Sequence, residues 1–240
     1  MINNIQIGDN YNTADVKIGD KWVTQDYGLF FTKKEISPPE IKSHIIDIQG
    51  TSEALDLTEV TSGDVEYKQR TITLTLTCAD GKDNYYNKLS ELSNDLHGQR
   101  KTIIFNRDPS FYWIGRIAVT SAESTFHGPI IVITATVDPY KYERFSSIEE
   151  WEWDDFSFDD GIIREYTITT PGSITVIGRR KRVCPTFMCS GAMVMTYLGN
   201  SYNLQSGSNL IPDIFIGAGD HVFTFIGTGT VSIDYVGGSL

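Results

Sequence analysis

Arg70-Thr71-Ile72-Thr73-Leu74-Thr75-Leu76-Thr77 alternates without interruption after its first residue, with aliphatic side chains on one face and threonines on the other. A period of two is the pattern of a half-buried, antiparallel strand. Further strand-like runs lie at 102–105, 112–120 and 130–137. The last carries apolar residues on both faces, as a central strand would. Asn106-Arg107-Asp108-Pro109 reads as a polar turn feeding the aromatic strand that holds Tyr112 and Trp113. One segment departs from this period. Between Asp83 and His97, Tyr85, Leu89, Leu92 and Leu96 recur at spacings of four, three and four, one narrow apolar stripe on a helix. Asp83 is the expected N-cap and Gly98 the expected left-handed residue past the end. The stripe predicts a helix lying on a sheet and solvated on its outer side.

Upstream, Ser37-Pro38-Pro39-Glu40 and Gly50-Thr51-Ser52-Glu53 punctuate a strand-like region. Two successive prolines impose extended geometry and remove two donors, so this piece belongs at a sheet edge or in a projecting arm; of a mobile loop and an element that docks on a neighbouring subunit, the residues alone favour the loop. Downstream, Asp138-Pro139-Tyr140 stops the strand and the composition changes. Residues 143–165 hold nine acidic residues against Arg144 and Arg164, together with Trp151, Trp153, Phe156 and Phe158. Beyond them come short strands at 166–170, 173–177, 192–198, 222–226 and 230–236. Pro171-Gly172, Gly199-Asn200 and Gly227-Thr228-Gly229 are the expected turns between them. The reading is mainly β: a sandwich with one packed helix over 1–140 and a second sandwich or jelly roll over 141–240.

Composition narrows the function classes. Of 240 residues, 40% are hydrophobic and 21% charged, as in a folded chain. A formal net charge of −11 argues against a general nucleic-acid binder, which needs a basic footprint. No run is long enough for a membrane-spanning helix. The polar start, Met1-Ile2-Asn3-Asn4-Ile5-Gln6, predicts synthesis in the cytosol rather than secretion. Cys78, Cys184 and Cys189 are too few for a disulfide framework and are read as reduced, buried thiols.

Catalytic and metal chemistry have little to build on. His44, His97, His127 and His221 are scattered, and no phosphate loop or dinucleotide fingerprint is present. The expectation is therefore no catalytic residue, no metal and no cofactor. An enzyme reading would use Glu149, Glu150, Glu152, Asp154, Asp155, Asp159 and Asp160 on a carbohydrate beside Trp151 and Trp153. Those carboxylates are sequence neighbours, whereas catalytic pairs come from separate elements; acidic runs are mostly solvated faces. Asp154 to Gly161 lacks the ligand spacing of an EF-hand loop. Trp153, Phe156 and Phe158 are read instead as an aromatic hinge. The run Arg179-Arg180-Lys181-Arg182 is read as a turn pairing with an acidic neighbour, such as the 143–165 window of an adjoining subunit.

The order of these pieces resembles the distal tail proteins of long-tailed bacteriophages, in a short form without an inserted carbohydrate-binding module. The resemblance runs through Ile45-Ile46-Asp47-Ile48-Gln49-Gly50 and Ala54-Leu55-Asp56-Leu57-Thr58-Glu59. It continues through the strand opened by Tyr67 to Arg70, the leucine-striped helix, the Asp108-Pro109 turn with Tyr112 to Arg116, and Asp138-Pro139-Tyr140. It closes on Gly227 to Leu240, similar to the family's terminal β-hairpin. Gln49-Gly50-Thr51 departs from the Pro-Gly and charged turn usual in relatives.

The resemblance implies a structural hub protein of the virion tail tip or baseplate, made in the bacterial host cytoplasm. It implies a hexameric ring built by the N-terminal sandwich, joining the tail tube protein to the tail-associated protein. It also implies a galectin-like C-terminal domain able to hold receptor-binding proteins, and a channel through which DNA passes without specific binding. An acidic channel wall would favour that passage by repelling phosphates. A closed ring uses two different faces of each subunit, and the arm of residues 31–60 is the candidate for one of them. A carbohydrate-binding adhesin module is the alternative.

Overall fold

The computed structural model describes residues 14–60, 63–78, 84–125, 128–144 and 167–240. In chain order the first elements are β1 (Val16–Ile18), β2 (Lys21–Trp22), β3 (Leu29–Ile36), β4 (Ile45–Asp47), β5 (Ala54–Asp56) and β6 (Arg70–Cys78). The helix α1 (Tyr85–Leu96) follows, then β7 (Arg100–Phe105), β8 (Asp108–Thr125), β9 (Gly128–Val137) and β10 (Lys141–Glu143). The remainder are β11 (Thr167–Gly178), β12 (Thr186–Cys189), β13 (Met193–Tyr197), β14 (Asn200–Leu204), β15 (Gly207–Leu210), β16 (Gly219–Asp234) and β17 (Gly238–Ser239). The protein is mainly β, with antiparallel pairing throughout these ladders. Two compact units divide the chain, Met1–Pro109 with Trp113–Pro139, and Ser110–Tyr112 with Tyr140–Leu240.

The first unit is one antiparallel sheet in the order β2-β1-β7-β8-β9-β6-β3. The alternation of 70–77 does what its period dictates: Ile72, Leu74 and Leu76 are fully buried, and the threonines between them face the other way. Along β9, Ile131, Ile133, Ala135 and Val137 match that inward phase. The sheet also folds over on itself. Lys34 of β3 stands 4.2 Å above the Phe105 ring of β7, and Arg70 of β6 stands 4.0 Å from the Trp113 ring of β8. Three strands lie between β3 and β7, so the Lys34–Phe105 contact brings the two halves of the sheet face to face across a common core, while Arg70 reaches Trp113 across β9 alone.

The helix starts at Tyr85 behind Asn84, whose side chain makes no capping bond; Asp83, the expected cap, lies outside the described residues. Tyr85, Leu92 and Leu96 are buried against the sheet and Leu89 packs beside them, as the stripe requires. Gly98 adopts φ +78°, which the chain needs to turn from helix into β7. Asp95 accepts from Lys21 and from the Tyr27 hydroxyl at 3.1 Å, tying the helix to β2 and the turn after it. These two donors hold the Asp95 carboxyl below the usual carboxylate range. The turn before the aromatic strand is shorter than Asn106 to Pro109. Asp108 already pairs with Phe105, so only Asn106 and Arg107 form the turn, and Pro109 sits inside β8.

In the second unit, β16 runs along β11 for almost its whole length and joins a different partner with each half. Residues 224–227 pair with β13, and residues 231–234 pair with β12. Such a strand turns the corner of a sandwich and serves both of its sheets. The corner is where turns were expected. Thr170 pairs with Gly229 and Gly172 with Phe225, so Pro171 alone faces three residues of β16. Pro171-Gly172 and Gly227-Thr228-Gly229 are therefore opposed irregularities within two long strands, not turns. The resembled terminal hairpin is absent too: β16 continues to Asp234, and β17 pairs with β10. Leu198 and Gly199, both at positive φ, make the two-residue turn from β13, with Asn200 already in β14. Phe187, Phe223 and Phe225 fill the core of this unit.

Gly227 has φ +154°, and a Cβ there would lie 2.7 Å from the Cβ of Met193. Gly227→Ala is expected to cost roughly 1–3 kcal/mol in urea unfolding. Gly199→Ala, at φ +80° with nothing within 4 Å, should cost less.

Candidate assembly surfaces

Among the described residues the histidines form no catalytic set. His44 is in the arm, while His97 ends the helix and its Nδ1 accepts the Val119 amide at 3.1 Å. His221 bonds the Tyr197 hydroxyl at 2.7 Å; His127 lies outside the described residues. Among the described residues no group of His, Cys, Asp and Glu could hold a metal ion. The carboxylates from Glu149 to Asp160 and their tryptophans, with Phe156 and Phe158, lie outside the described residues. All three cysteines are unbridged. Burial pushes the Cys189 thiol up, which suits an unreactive core group, while Cys184 is half-buried.

The basic run finds partners within its own unit. Arg179 Nε donates to Glu143 at 2.8 Å, and the same carboxylate accepts the Gly237 amide at 3.0 Å. Lys181 stands 4.3 Å over the Tyr142 ring, and Arg182 4.9 Å over Phe215. Glu143 is the first residue of the acidic window, so Arg179 meets an acid of the expected window on its own chain. The reason is local: β10 brings Glu143 beside β17, where Arg179 and the Gly237 amide together make a buried carboxylate tolerable.

The arm is a long two-stranded ribbon. It leaves the sheet where Ser37 N bonds Thr71 O, and it continues through Glu40–Lys68, Lys42–Glu66 and His44–Leu57 backbone bonds to the β4–β5 hairpin. Gly50, at φ +88°, lies in the tip. Lys42–Glu66 and Lys68–Glu40 ion pairs, each 3.1 Å, brace its base and are exposed, so they add little stability. Every residue of β4 and β5 is exposed. Ile41, Ile45, Ile46, Ile48, Leu55 and Val60 stand in solvent, Val60 at 71%. The ribbon has apolar side chains on both faces and no third layer to bury them. An isolated two-stranded ribbon is marginal, and clustered exposed aliphatics mark a contact surface. Between Lys42 and Lys68 there are six carboxylates and no Lys or Arg. Asp47, Glu53 and Glu59 have no side-chain partner among the described residues.

Beside the root of this arm lies an opposite anomaly. Arg70 keeps 8% of its surface, and its Nε is sealed from solvent without an acceptor. No hydrogen bond or ion pair to its side chain exists among the described residues; only the Trp113 ring meets it. Burial lowers its pKa, a measure of how poorly the site replaces water. The exposed Lys34 ammonium lies over Phe105 on the same inner face. Sequence reading treated Arg70 only as the start of a strand. The signal was present: Arg70 has the inward phase of Ile72, Leu74 and Leu76.

No family model matches the chain, and no curated protein matches it. Among solved structures, the chain is similar to SPP1 Dit (gp 19.1), described as a paradigm of the hub adsorption apparatus in phages infecting Gram-positive bacteria. The likeness covers 93% of this chain and 98% of that one, with a TM-score of 0.58 and 14% identity. The fold is thus that of a distal tail protein, the family the sequence resembles.

In the isolated chain, amides of β4 and β5 should exchange with solvent on the order of a thousand-fold faster than those of β6 and β9. Hydrogen exchange read by mass spectrometry checks this. Equal protection would mean the ribbon is already covered.

Proposed function

We propose that this chain is a structural, non-enzymatic subunit of a phage tail tip. Copies close into a ring, a hexamer on the family pattern, that joins the tail tube protein to the tail-associated protein and leaves a passage for DNA. The single observation that carries this reading is a fold likeness spanning nearly the full length of both chains. The first unit forms the ring. The second, a galectin-like sandwich, holds receptor-binding proteins on the outside. In this reading the protein resides in the virion.

The arm supports assembly independently of any relative. A heterologous, ring-closing interface needs an element that one subunit offers and another receives. A ribbon with two free edges and exposed isoleucines is such an element, because its backbone and side chains both gain from being covered. Acidic side chains along it keep the uncovered state soluble.

Light scattering and negative-stain images of the purified protein are expected to give closed rings with a central hole. Deleting residues 43–58 should leave folded monomers with an unchanged thermal transition. A monomeric wild-type protein that also fails to bind the tail tube protein and the tail-associated protein would sink the hub reading.

A further inference from the structure

We propose that Arg70 is the docking point for the arm of a second copy of this chain, a carboxylate of the neighbour's ribbon supplying its missing acceptors. This rests on the assembly reading above and names the two surfaces that meet. A guanidinium carries five donors, and at Arg70 the Nε donor is sealed from solvent without an acceptor, which carries a desolvation cost. The Trp113 face at 4.0 Å offsets part of that cost but accepts no N–H bond in the guanidinium plane. The subunit therefore holds a cation prepared for a carboxylate that it does not itself provide.

The same chain carries the complementary anomaly. Asp47, Glu53 and Glu59 lie on the part of the ribbon between Lys42 and Lys68, which holds no Lys or Arg, among exposed Ile45, Ile46 and Leu55. A subunit's own ribbon tip is held away from Arg70 by the ladder running outward from Ser37–Thr71 to Asp47–Ala54. A neighbour's tip has no such restraint. Seated there, one carboxylate bonds Arg70, a second faces Lys34, and the isoleucines cover the end of the core closed by Trp113 and Phe105. Removing either charge from such a contact leaves the other buried alone, so the dependence on both is steep.

Zero-length carbodiimide cross-linking of mixed light and 15N-labelled full-length protein reads the contact directly. The expected product is a mixed-isotope peptide pair joining Lys34 to the 43–68 segment. Arg70→Met should raise the thermal midpoint of the separated subunit, because an unpaired buried charge is gone, and weaken self-association about thirty-fold or more. The exposed triple change Asp47→Asn, Glu53→Gln, Glu59→Gln should weaken association as much, and combining it with Arg70→Met should add little. Rings that form with no Lys34–arm pair, or that survive both variants, overturn this contact while leaving the hub reading intact. So does an Arg70→Met protein with a lowered midpoint and unchanged association, which would make Arg70 a core-packing residue. Cross-links from Lys34 only to added tail tube protein would make the occupant a different protein and also overturn it. A chain that stays monomeric gives no mixed pair and removes the contact; ring formation on the tail tube protein then judges the hub reading separately.

Discussion

Everything in the first unit hangs on the parity of one ladder. From Arg70–Val137 to Thr77–Ile130, β6 and β9 pair residue for residue without a break. A slip of one position would turn Ile72, Leu74 and Leu76 into solvent and bring threonines into the core. Because the register holds, β3 can add to one side of the pair and β8 to the other, each with a single irregularity midway along its ladder. The same parity drives Arg70 inward. It is held there by the burial of the aliphatic residues behind it in the strand, and the Trp113 ring is the best surface available to it.

The second unit is governed by a different constraint. Two sheets must be joined without exposing backbone, and β16 does so by bending between glycines. Gly227 and Gly229 take φ values of +154° and +137°, which side chains resist. Their places are crowded as well, by Met193 and Ser190. The bend lets one strand lend its first half to β13 and its second to β12, so that the phenylalanines at 187, 223 and 225 converge.

How far the sequence could be read follows from where its information is local. Strict alternation identified β6, and a four-three-four spacing identified α1, because each pattern is written within a dozen residues. The Pro-Pro start of the arm was equally local. The corner of the second unit was not legible: Pro-Gly and Gly-Thr-Gly are turn signals by composition, and only their juxtaposition across two strands makes them a bend. Short strands such as β12, β14 and β15 carry too few residues for a period to emerge, and Glu143 meets Arg179 through a separation of 36 positions. Arg70 was readable in phase but not in consequence, since a charge at an inward position is meaningful only once its lack of partners is seen.

The arm's charge has a consequence for the life of the chain before assembly. Two ribbons with free edges and bare isoleucines could pair with each other, and then with a third, without ever closing. Asp47, Glu53 and Glu59, with no side-chain partner among the described residues, make that encounter repulsive while leaving an approach to a cationic surface attractive. Repulsion between exposed charges fades over about 8–10 Å at ordinary ionic strength, so it acts at the moment two strands would align rather than at long range. In the proposed ring the ribbon would work as a selective adhesive, kept from its own kind by its charge and free to stick only where a positive counterpart waits.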